Sequence, residues 1–245
     1  MINTIQQAVI LAGGRGERLK PLTDDLPKPM APINGLPFLD YLIESIRLAG
    51  ISNILFLLGY KAEKIIERYG MGIGRMKIEY SVGDVTDQTG KRLQNAYNQL
   101  DAQFLLMYGD TYWPIEFNQM IQSYYQSSCM VSMTVFTNIR GTGEYGFENN
   151  TQVDSNGVIR LYDTNRSNPK SNGVDIGYFI VDKKAISPDV YGNLSFQGNL
   201  LPPLIESGQV RAFLTDNQYY YITSLKTLSD FQDVAIKEKF SPVKI

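Results

Sequence analysis

The sequence predicts an α/β fold with a doubly wound, mostly parallel central sheet and helices on both of its faces. Short apolar runs, typical of buried strands, alternate through the first 140 residues with segments whose apolar residues recur at helical spacing. Three glycines lie directly after the first apolar run. This alternation is typical of parallel sheets, in which right-handed crossovers place helices on both faces. We therefore expect a Rossmann-like architecture.

The elements of the first half follow this alternation in order. Short apolar runs predict strands at residues 6–11, 53–58, 77–81, 104–108 and 130–137. Apolar residues at every third or fourth position predict helices at residues 38–49, 61–69, 89–100 and 117–127. Gly50 lies directly after the first of these helices, as a glycine commonly does at a C-terminal end.

The second half, after about residue 140, is richer in Gly, Asn, Asp and Ser. The sequence DSNG at residues 154–157 predicts a hairpin turn between two short strands. Strands are predicted at residues 151–153, 158–162, 176–181, 210–214 and 219–222. We expect the last two to complete the central sheet. Helices are predicted at residues 196–206 and 225–238.

Composition limits the classes of function. The net charge of −2 without a basic block favours neither a nucleic-acid nor a membrane partner. No apolar run is long enough to span a bilayer, and the first residues lack the pattern of a signal peptide. We expect a cytoplasmic protein with no nucleic-acid and no membrane partner. Its oligomeric state stays open, a homo-oligomer included.

The chain has no histidine and a single cysteine, Cys129. Catalysis by Ser-His-Asp or Cys-His groups is therefore excluded, as is a metal bound by His or by several Cys. A catalytic metal would need oxygen ligands, which points to Mg²⁺. The chemistry must come from positioning, cations and carboxylates.

Candidate binding residues concentrate near the N-terminus, in LAGGRGERL at residues 11–19 and PKPM at residues 27–30. Glycines after a buried strand let a ligand approach backbone N–H groups, and phosphates bind at such turns. Arg15, Arg18 and Lys28 supply cations for a polyanion. An ordinary glycine turn with surface cations is the alternative, but the preceding strand favours phosphate binding.

Two further segments are expected at the same edge of the sheet, where ligands of open α/β sheets bind. They are the polar loop GDVTDQTG at residues 83–90 and the pair Gly109-Asp110. The Asp110 carboxylate is a candidate Mg²⁺ ligand, with a turn or helix cap as the alternative. This set suits phosphoryl or nucleotidyl transfer. An ionised phosphate needs no general base, which favours a sugar phosphate attacking an α-phosphorus.

LAGGRGERL together with PKPM closely resembles the signature of the sugar-1-phosphate nucleotidyltransferases, and the resemblance covers nearly the whole chain. Within that family the chain looks most like the D-glycero-D-manno-heptose 1-phosphate guanylyltransferases. Three segments carry this closer likeness, PKPMAPI at residues 27–33, PFL at residues 37–39 and GVDIGY at residues 173–178.

The resemblance implies a fold like that of the type A nucleotidyltransferases, as one domain over residues 1–245. Residues 1–140 would form a nucleotide-binding half and residues 141–245 a sugar-phosphate-binding half. The implied reaction transfers a nucleotidyl group from an NTP, with GTP favoured, to a sugar 1-phosphate, with heptose favoured. It would use Mg²⁺ and supply an NDP-sugar for surface polysaccharide such as capsule or lipopolysaccharide.

The resemblance also implies roles for individual residues. Catalytic roles fall to Arg18, Lys28 and Asp110, the last as the metal ligand. Nucleotide contacts are implied for Leu11, Ala12, Gly13, Gly14, Arg15, Gly16, Asp84, Gln88, Thr89 and Gly90. Sugar-phosphate contacts are implied for Gly146, Asp163, Arg166 and Asp175.

The chain departs from the family pattern at three places. Lys91-Arg92 follows Thr89-Gly90, where small residues are common, and DTNR at residues 163–166 replaces a Glu-Glu-Lys run. Tyr221 stands where many members have a second metal-binding Asp, and a tyrosine is no substitute for that ligand at neutral pH. A CTP- or UTP-dependent enzyme and a catalytically silent nucleotide-sugar-binding protein therefore remain alternatives.

Overall fold

The computed structural model of the chain describes residues 5–188 and 191–244. In this part of the chain the strands are β1 (Gln7–Ala12), β2 (Pro32–Ile33), β3 (Leu36–Pro37), β4 (Asn53–Leu58), β5 (Gly72–Ile73), β6 (Met76–Val82), β7 (Gln103–Tyr108), β8 (Thr111–Tyr112), β9 (Val131–Phe136), β10 (Thr151–Val153), β11 (Ile159–Tyr162), β12 (Val174–Asp182), β13 (Val210–Thr215) and β14 (Tyr220–Tyr221). The α-helices are α1 (Phe38–Leu48), α2 (Ala62–Tyr69), α3 (Thr89–Asn95), α4 (Phe117–Ser127), α5 (Leu201–Glu206) and α6 (Leu225–Lys237). None of the helices in these ranges has both the length and the apolar character that crossing a bilayer requires.

The central sheet has the strand order β13-β9-β12-β7-β1-β4-β6-β5 within the described residues. β1 runs parallel to both of its neighbours, β4 and β7, and parallel pairing also joins β4 to β6 and β13 to β9. β12 is antiparallel to β7 and β9, and β5 is antiparallel to β6. The prediction of a mostly parallel α/β sheet is confirmed.

The side chains of β1 alternate between two apolar cores, one on each face of the sheet. Ala8, Ile10 and Ala12 belong to the first core, whereas Val9 and Leu11 belong to the second. The first core includes residues of α1, α2, α4 and α6, and the second includes residues of α3 and α5. Helices therefore cover both faces, and a strand that is buried on both sides is apolar along its whole length.

One predicted strand lies elsewhere than expected. Residues 219–222 do not complete the central sheet, because β14 pairs antiparallel with β8, so that Tyr221 lies opposite Thr111. The Ile222 N–H also donates to the Asp110 carbonyl at 3.0 Å. A run of aromatic and apolar residues identifies a strand but does not identify its partner, and this pairing joins segments more than 100 residues apart.

The predicted helix at residues 196–206 starts differently from a regular α-helix. Its first turn, Phe196–Leu200, is π-helical, and α5 begins directly after it with prolines as its second and third residues. Proline is tolerated there because the first N–H groups of a helix have no intrahelical partner. The predicted helix at residues 89–100 likewise divides into α3 and the 3₁₀ turn Tyr97–Gln99.

A buried carboxylate, that of Asp40, joins α1 to α2. Arg68 donates to it from Nη2 at 2.5 Å and from Nε at 3.2 Å, and the Tyr69 hydroxyl donates at 2.6 Å. The Asp40 side chain is only 1% exposed. A buried charge costs free energy unless it is paired and hydrogen-bonded, so these partners are what allow Asp40 to lie in the core.

We expect Asp40→Ala to lower the free energy of unfolding by about 2–4 kcal/mol, because the Tyr69 hydroxyl and the Arg68 guanidinium would lose their acceptor. Arg47→Ala, on the same helix, is the control, since the Arg47–Glu44 pair lies at the surface. That change should cost much less, because an exposed ion pair contributes little to stability. Urea unfolding measures both values, and equal losses in the two variants would contradict a structural role for the buried pair.

Candidate functional site

The carboxyl ends of β1, β4, β6 and β7 meet at one edge of the sheet. The loops that leave there are tied together by backbone hydrogen bonds. Gly109 N–H donates to the Leu11 carbonyl at 3.0 Å, and Tyr60 N–H donates to the Gly13 carbonyl at 3.0 Å. Between the loops lies a cavity of about 630 Å³. This large cavity occupies the place where open α/β sheets bind ligands.

Ten of the predicted site residues line the large cavity. They are Leu11, Ala12, Gly13, Gly14, Gly16, Arg18, Lys28, Gln88, Thr89 and Asp110. Gly16 has φ 65°, in the left-handed region, and a Cβ atom there would lie 2.7 Å from the Lys28 Cβ. Both the conformation and the space therefore require glycine at this position.

Lys28 and Asp110 form an ion pair in the wall of the large cavity. Lys28 begins a 3₁₀ turn between Pro27 and Pro29, and its Nζ donates to Asp110 Oδ2 at 2.5 Å. The Lys28 side chain is 13% exposed and that of Asp110 is 32% exposed. The prolines restrict the backbone on both sides of Lys28 and so fix the direction of its side chain.

A second, smaller cavity of about 250 Å³ adjoins the first. The two cavities share four lining residues, Arg18, Tyr108, Asp110 and Gln197. Of the residues predicted to bind the sugar phosphate, Arg166 and Asp175 line the small cavity. Asp110 thus stands at the junction of a glycine-lined compartment and a compartment with two arginines.

The carboxyl group of Asp175 lies in the wall of the small cavity. It accepts the Gly177 N–H at 2.8 Å and the Tyr162 hydroxyl at 3.1 Å. Burial raises the pKa of Asp175 to about 6, although both hydrogen bonds and the charge of Arg166 oppose this effect. This carboxyl group therefore changes charge close to neutral pH.

Two residues predicted to bind the nucleotide have other contacts. The Arg15 guanidinium lies over the Tyr60 ring, 5.5 Å from its centroid, and Arg15 is not among the described residues that line the large cavity. The Asp84 carboxylate accepts the Thr86 N–H at 2.8 Å and the Thr86 hydroxyl at 2.7 Å. These hydrogen bonds lower the pKa of Asp84 and hold it in its own loop.

Gly90, also predicted to contact the nucleotide, packs on backbone instead. A Cβ atom at Gly90 would lie 2.8 Å from the Leu194 carbonyl oxygen. Lys91 N–H donates to the same carbonyl at 2.8 Å. In this structure the glycine permits the close approach of α3 to the segment before α5.

Gly146 and Asp163 also lie outside the two cavities, among the residues described. Gly146 N–H, predicted to bind the sugar, donates to the Gly143 carbonyl at 3.1 Å. The Asp163 carboxylate accepts backbone N–H groups at 2.7–3.0 Å from Asn165, Ser167 and Asn168. Its hydrogen-bonding capacity is used within its own turn, as is typical of an aspartate that starts a turn.

Residues 193–197 form a part of the site that the sequence did not indicate. Ser195 and Gln197 line the large cavity. Asn193 Oδ1 accepts the Gln88 N–H at 2.6 Å, and Phe196 N–H donates to the Thr89 hydroxyl at 2.8 Å. In the sequence, polar residues alternate with apolar ones over residues 193–197. Nothing in this pattern indicates a partner 105 positions away.

The oxygen atoms at the junction fit a magnesium ion only in part. No group of three or more acidic or cysteine side chains suited to a metal occurs within residues 5–188 and 191–244. Mg²⁺ is commonly bound by one or two carboxylates together with substrate phosphates and water. Asp110 would supply one ligand in that arrangement, and the phosphates of a bound substrate would supply others.

The doubly wound sheet thus carries the glycine loop and the Lys28–Asp110 pair at one edge, around one cavity. The family model described as nucleotidyl transferase matches residues 7–221. The chain belongs to this nucleotidyl transferase family, which confirms the resemblance read from the sequence.

Three relatives illustrate the range within the family. The bifunctional protein GlmU of Methanocaldococcus jannaschii is 33% identical over 72% of this chain and 40% of that protein. The D-glycero-alpha-D-manno-heptose 1-phosphate guanylyltransferase of Campylobacter jejuni is 35% identical over 46% of this chain and 52% of that protein. The probable glucose-1-phosphate cytidylyltransferase of Bacillus subtilis is 28% identical over 93% of this chain and 94% of that protein. The chain thus spans about half or less of the length of the first two.

A solved structure has the same fold. The crystal structure of HddC from Yersinia pseudotuberculosis matches with a TM-score of 0.77 and 24% identity, over 94% of this chain and 99% of that chain. HddC has also been crystallised in a complex with GMP-PN. At 24% identity this likeness shows a shared fold and nothing beyond it.

Asp175 should make stability fall as the pH rises. Its folded pKa of about 6 exceeds the ordinary value of 3.8, so the unfolded chain loses this proton first. The stabilisation that this group contributes is fully present below pH 3.8. It is lost as the pH rises to 6, a loss of about 1–3 kcal/mol. Asp175→Asn should remove that slope from urea unfolding measured across this pH range.

Asp154→Asn serves as the control for Asp175. Hydrogen bonds, first of all from the Val158 N–H, lower the pKa of Asp154. The effect of Asp154 on stability therefore lies below pH 3.8 and has the opposite sign. A slope that persists unchanged in Asp175→Asn would contradict the raised pKa.

Proposed function

We propose that this chain transfers a nucleotidyl group from an NTP to a sugar 1-phosphate. An oxygen of the sugar phosphate forms a bond to the α-phosphorus, the α–β phosphoanhydride bond breaks, and pyrophosphate leaves. The observation that carries the proposal is the Lys28–Asp110 pair at the junction of the two cavities. The junction would bring the two reacting phosphates together.

The large cavity suits the triphosphate. Backbone N–H groups of the glycine loop and the cation of Arg18 would bind its oxygens, as helix and loop termini do with phosphates. Lys28 would stabilise the charge that develops at the α-phosphorus and on the leaving pyrophosphate. A magnesium ion bound by Asp110 and the phosphates would neutralise further charge. The attacking phosphate is already ionised, so catalysis rests on positioning.

The small cavity suits the sugar phosphate. Arg18 and Arg166 are cations for its phosphate, while Asp175 and Asn150 offer oxygen acceptors for sugar hydroxyls. We propose a heptose as the sugar, in the synthesis of surface polysaccharide. The Campylobacter jejuni relative, a heptose 1-phosphate guanylyltransferase by name, supports this choice. Residues 1–140 would be the nucleotide-binding half, completed by Ser195 and Gln197 from the sugar-phosphate-binding half.

We propose guanine as the preferred base. Asp87 and Gln88 line the large cavity, in the loop where the resemblance places base recognition. Asp87 Oδ2 accepts from the Asp84 N–H and from Asn95, so Asp87 Oδ1 and the Gln88 side-chain oxygen would be the acceptors for the base. Guanine presents two adjacent donors, N1–H and N2–H₂, whereas cytosine presents an amine beside an acceptor. The second candidate is a CTP-dependent enzyme, favoured by the Bacillus subtilis relative that this chain covers almost completely.

A pyrophosphate-release assay with GTP, CTP, UTP and dTTP tests the function and the base together. With Mg²⁺ and an accepted sugar 1-phosphate, we expect kcat/KM to be about ten- to a hundredfold higher for GTP. A mismatched base leaves a buried polar group unpaired at about 1–3 kcal/mol, and 1.4 kcal/mol is tenfold. A CTP or UTP optimum would contradict the guanine proposal alone. Binding without turnover of any NTP across the sugar phosphates would indicate a silent nucleotide-binding protein.

Lys28→Ala should lower kcat by about 10²-fold, the usual loss when one electrostatic stabiliser is removed. Its free energy of unfolding should change little, because the Asp110 side chain is 32% exposed and can be hydrated once Lys28 is removed. Lys20→Ala is the control, since Lys20 pairs with Asp24 at the surface. Steady-state rates for both variants decide the matter, and a near-normal kcat for Lys28→Ala would remove this residue from the mechanism.

A further inference from the structure

Arg92, on α3, is a buried cation. It is 5% exposed, and none of the ion pairs among residues 5–188 and 191–244 includes it. Burial lowers the pKa of Arg92, against the opposing charges of Asp87 and Asp84. A buried charge is costly unless its hydrogen bonds are satisfied, so the partners of this guanidinium decide its role.

Those partners are backbone carbonyls from three separate segments. Nη1 donates to Leu58 at 2.6 Å, at the end of β4. Nη2 lies within hydrogen-bond distance of the carbonyls of Gly13 at 3.3 Å, Asp84 at 2.9 Å and Val85 at 3.4 Å. One side chain therefore connects the phosphate loop (residues 13–18) to the base loop (residues 83–90) and to the sheet.

Glycines make the space that the guanidinium fills. A Cβ atom at Gly13 would overlap its central carbon, and one at Gly59 would lie 2.7 Å from both terminal nitrogens. Neither glycine has a positive φ, so the backbone conformation does not require glycine at these positions. At Gly13 the missing side chain admits Arg92.

The contact with Gly13 also has an electrostatic consequence. Its carbonyl accepts from Arg92 and, at 3.0 Å, from the Tyr60 N–H. Hydrogen bonds in series polarise one another, so a carbonyl that accepts from a cation makes the N–H of the same peptide a stronger donor. That N–H belongs to Gly14, which lines the large cavity.

We propose that Arg92 is a positioning residue for the nucleotide. It fixes the spacing between the phosphate loop and the base loop, and it polarises the Gly13–Gly14 peptide toward the phosphates. This inference rests on the proposed function, because it places an NTP in the large cavity. It predicts effects on nucleotide affinity and base discrimination that a residue with only a structural role would not have.

Calorimetric titration of the full chain with GTP and with CTP tests this role without any need for turnover. We expect Arg92→Met to bind GTP about tenfold more weakly, the effect of one lost hydrogen bond to a charged group, and its GTP to CTP ratio to approach one. Arg92→Lys keeps the charge but loses the two-pronged guanidinium, so its affinity for GTP should lie between those of Arg92→Met and the unchanged chain. The matched control is Lys91→Met, on the same helix, which should bind as the unchanged chain does.

Steady-state kinetics separate positioning from catalysis. In Arg92→Met the KM for the NTP should rise about as much as the dissociation constant, while kcat stays within about threefold because Lys28 and Asp110 remain. A folded Arg92→Met, checked by circular dichroism, that binds both nucleotides as the unchanged chain does would overturn the proposal.

If Arg92→Met does not fold, Arg92→Lys decides the question. Unchanged affinity and an unchanged base ratio in that variant would equally overturn the role of Arg92. Failure of the unchanged chain to bind any NTP is a different result, since it would contradict the proposed function itself.

Discussion

The site depends on the central position of β1 in the sheet. All six of its residues are buried, and it pairs in parallel register with β4 on one edge and β7 on the other. Because the three strands run the same way, their loops leave the sheet at one edge. Lys28 and Asp110 lie 82 positions apart in the chain, yet this pairing allows them to meet at 2.5 Å. A change that moved β1 would separate the groups on which the proposed chemistry rests.

The backbone around Asp110 is held from several sides. Gly109 N–H donates to β1, Ile222 N–H donates to the Asp110 carbonyl, and the Tyr178 hydroxyl donates to the Thr111 carbonyl at 2.9 Å. Rigid placement matters in a site without histidine, because positioning and charge must then supply the rate enhancement. Tyr221, which stands where the resemblance places a second aspartate, belongs to the β8–β14 pair that fixes this loop.

The sequence was most informative where burial alone determines the pattern. β4 and α4 have the predicted bounds, because the continuous apolar run of β4 and the helical spacing of apolar residues in α4 both follow directly from burial. The glycine loop, Lys28 and Asp110 were found by motif, and they line one cavity. Periodicity does not report the partner of a buried group. Long-range packing determines the contact of Asn193 with Gln88 and the pairing of β14 with β8. Local hydrogen bonding determines the position of the Asp84 carboxylate, because Thr86 competes with a ligand for it.

Arg92 shows why a departure from a family pattern is not to be judged by residue type alone. In the sequence, Arg92 is one of two adjacent cations that stand where the family commonly has small residues. In the structure its guanidinium donates to backbone carbonyls at the end of β4 and in the base loop, and Gly13 and Gly59 leave the room it needs. Arg92 and the two glycines therefore depend on one another, because the guanidinium fits only where the glycines have no side chain. An alanine at Gly13 would displace Arg92 and so alter the base loop, although Gly13 belongs to the phosphate loop.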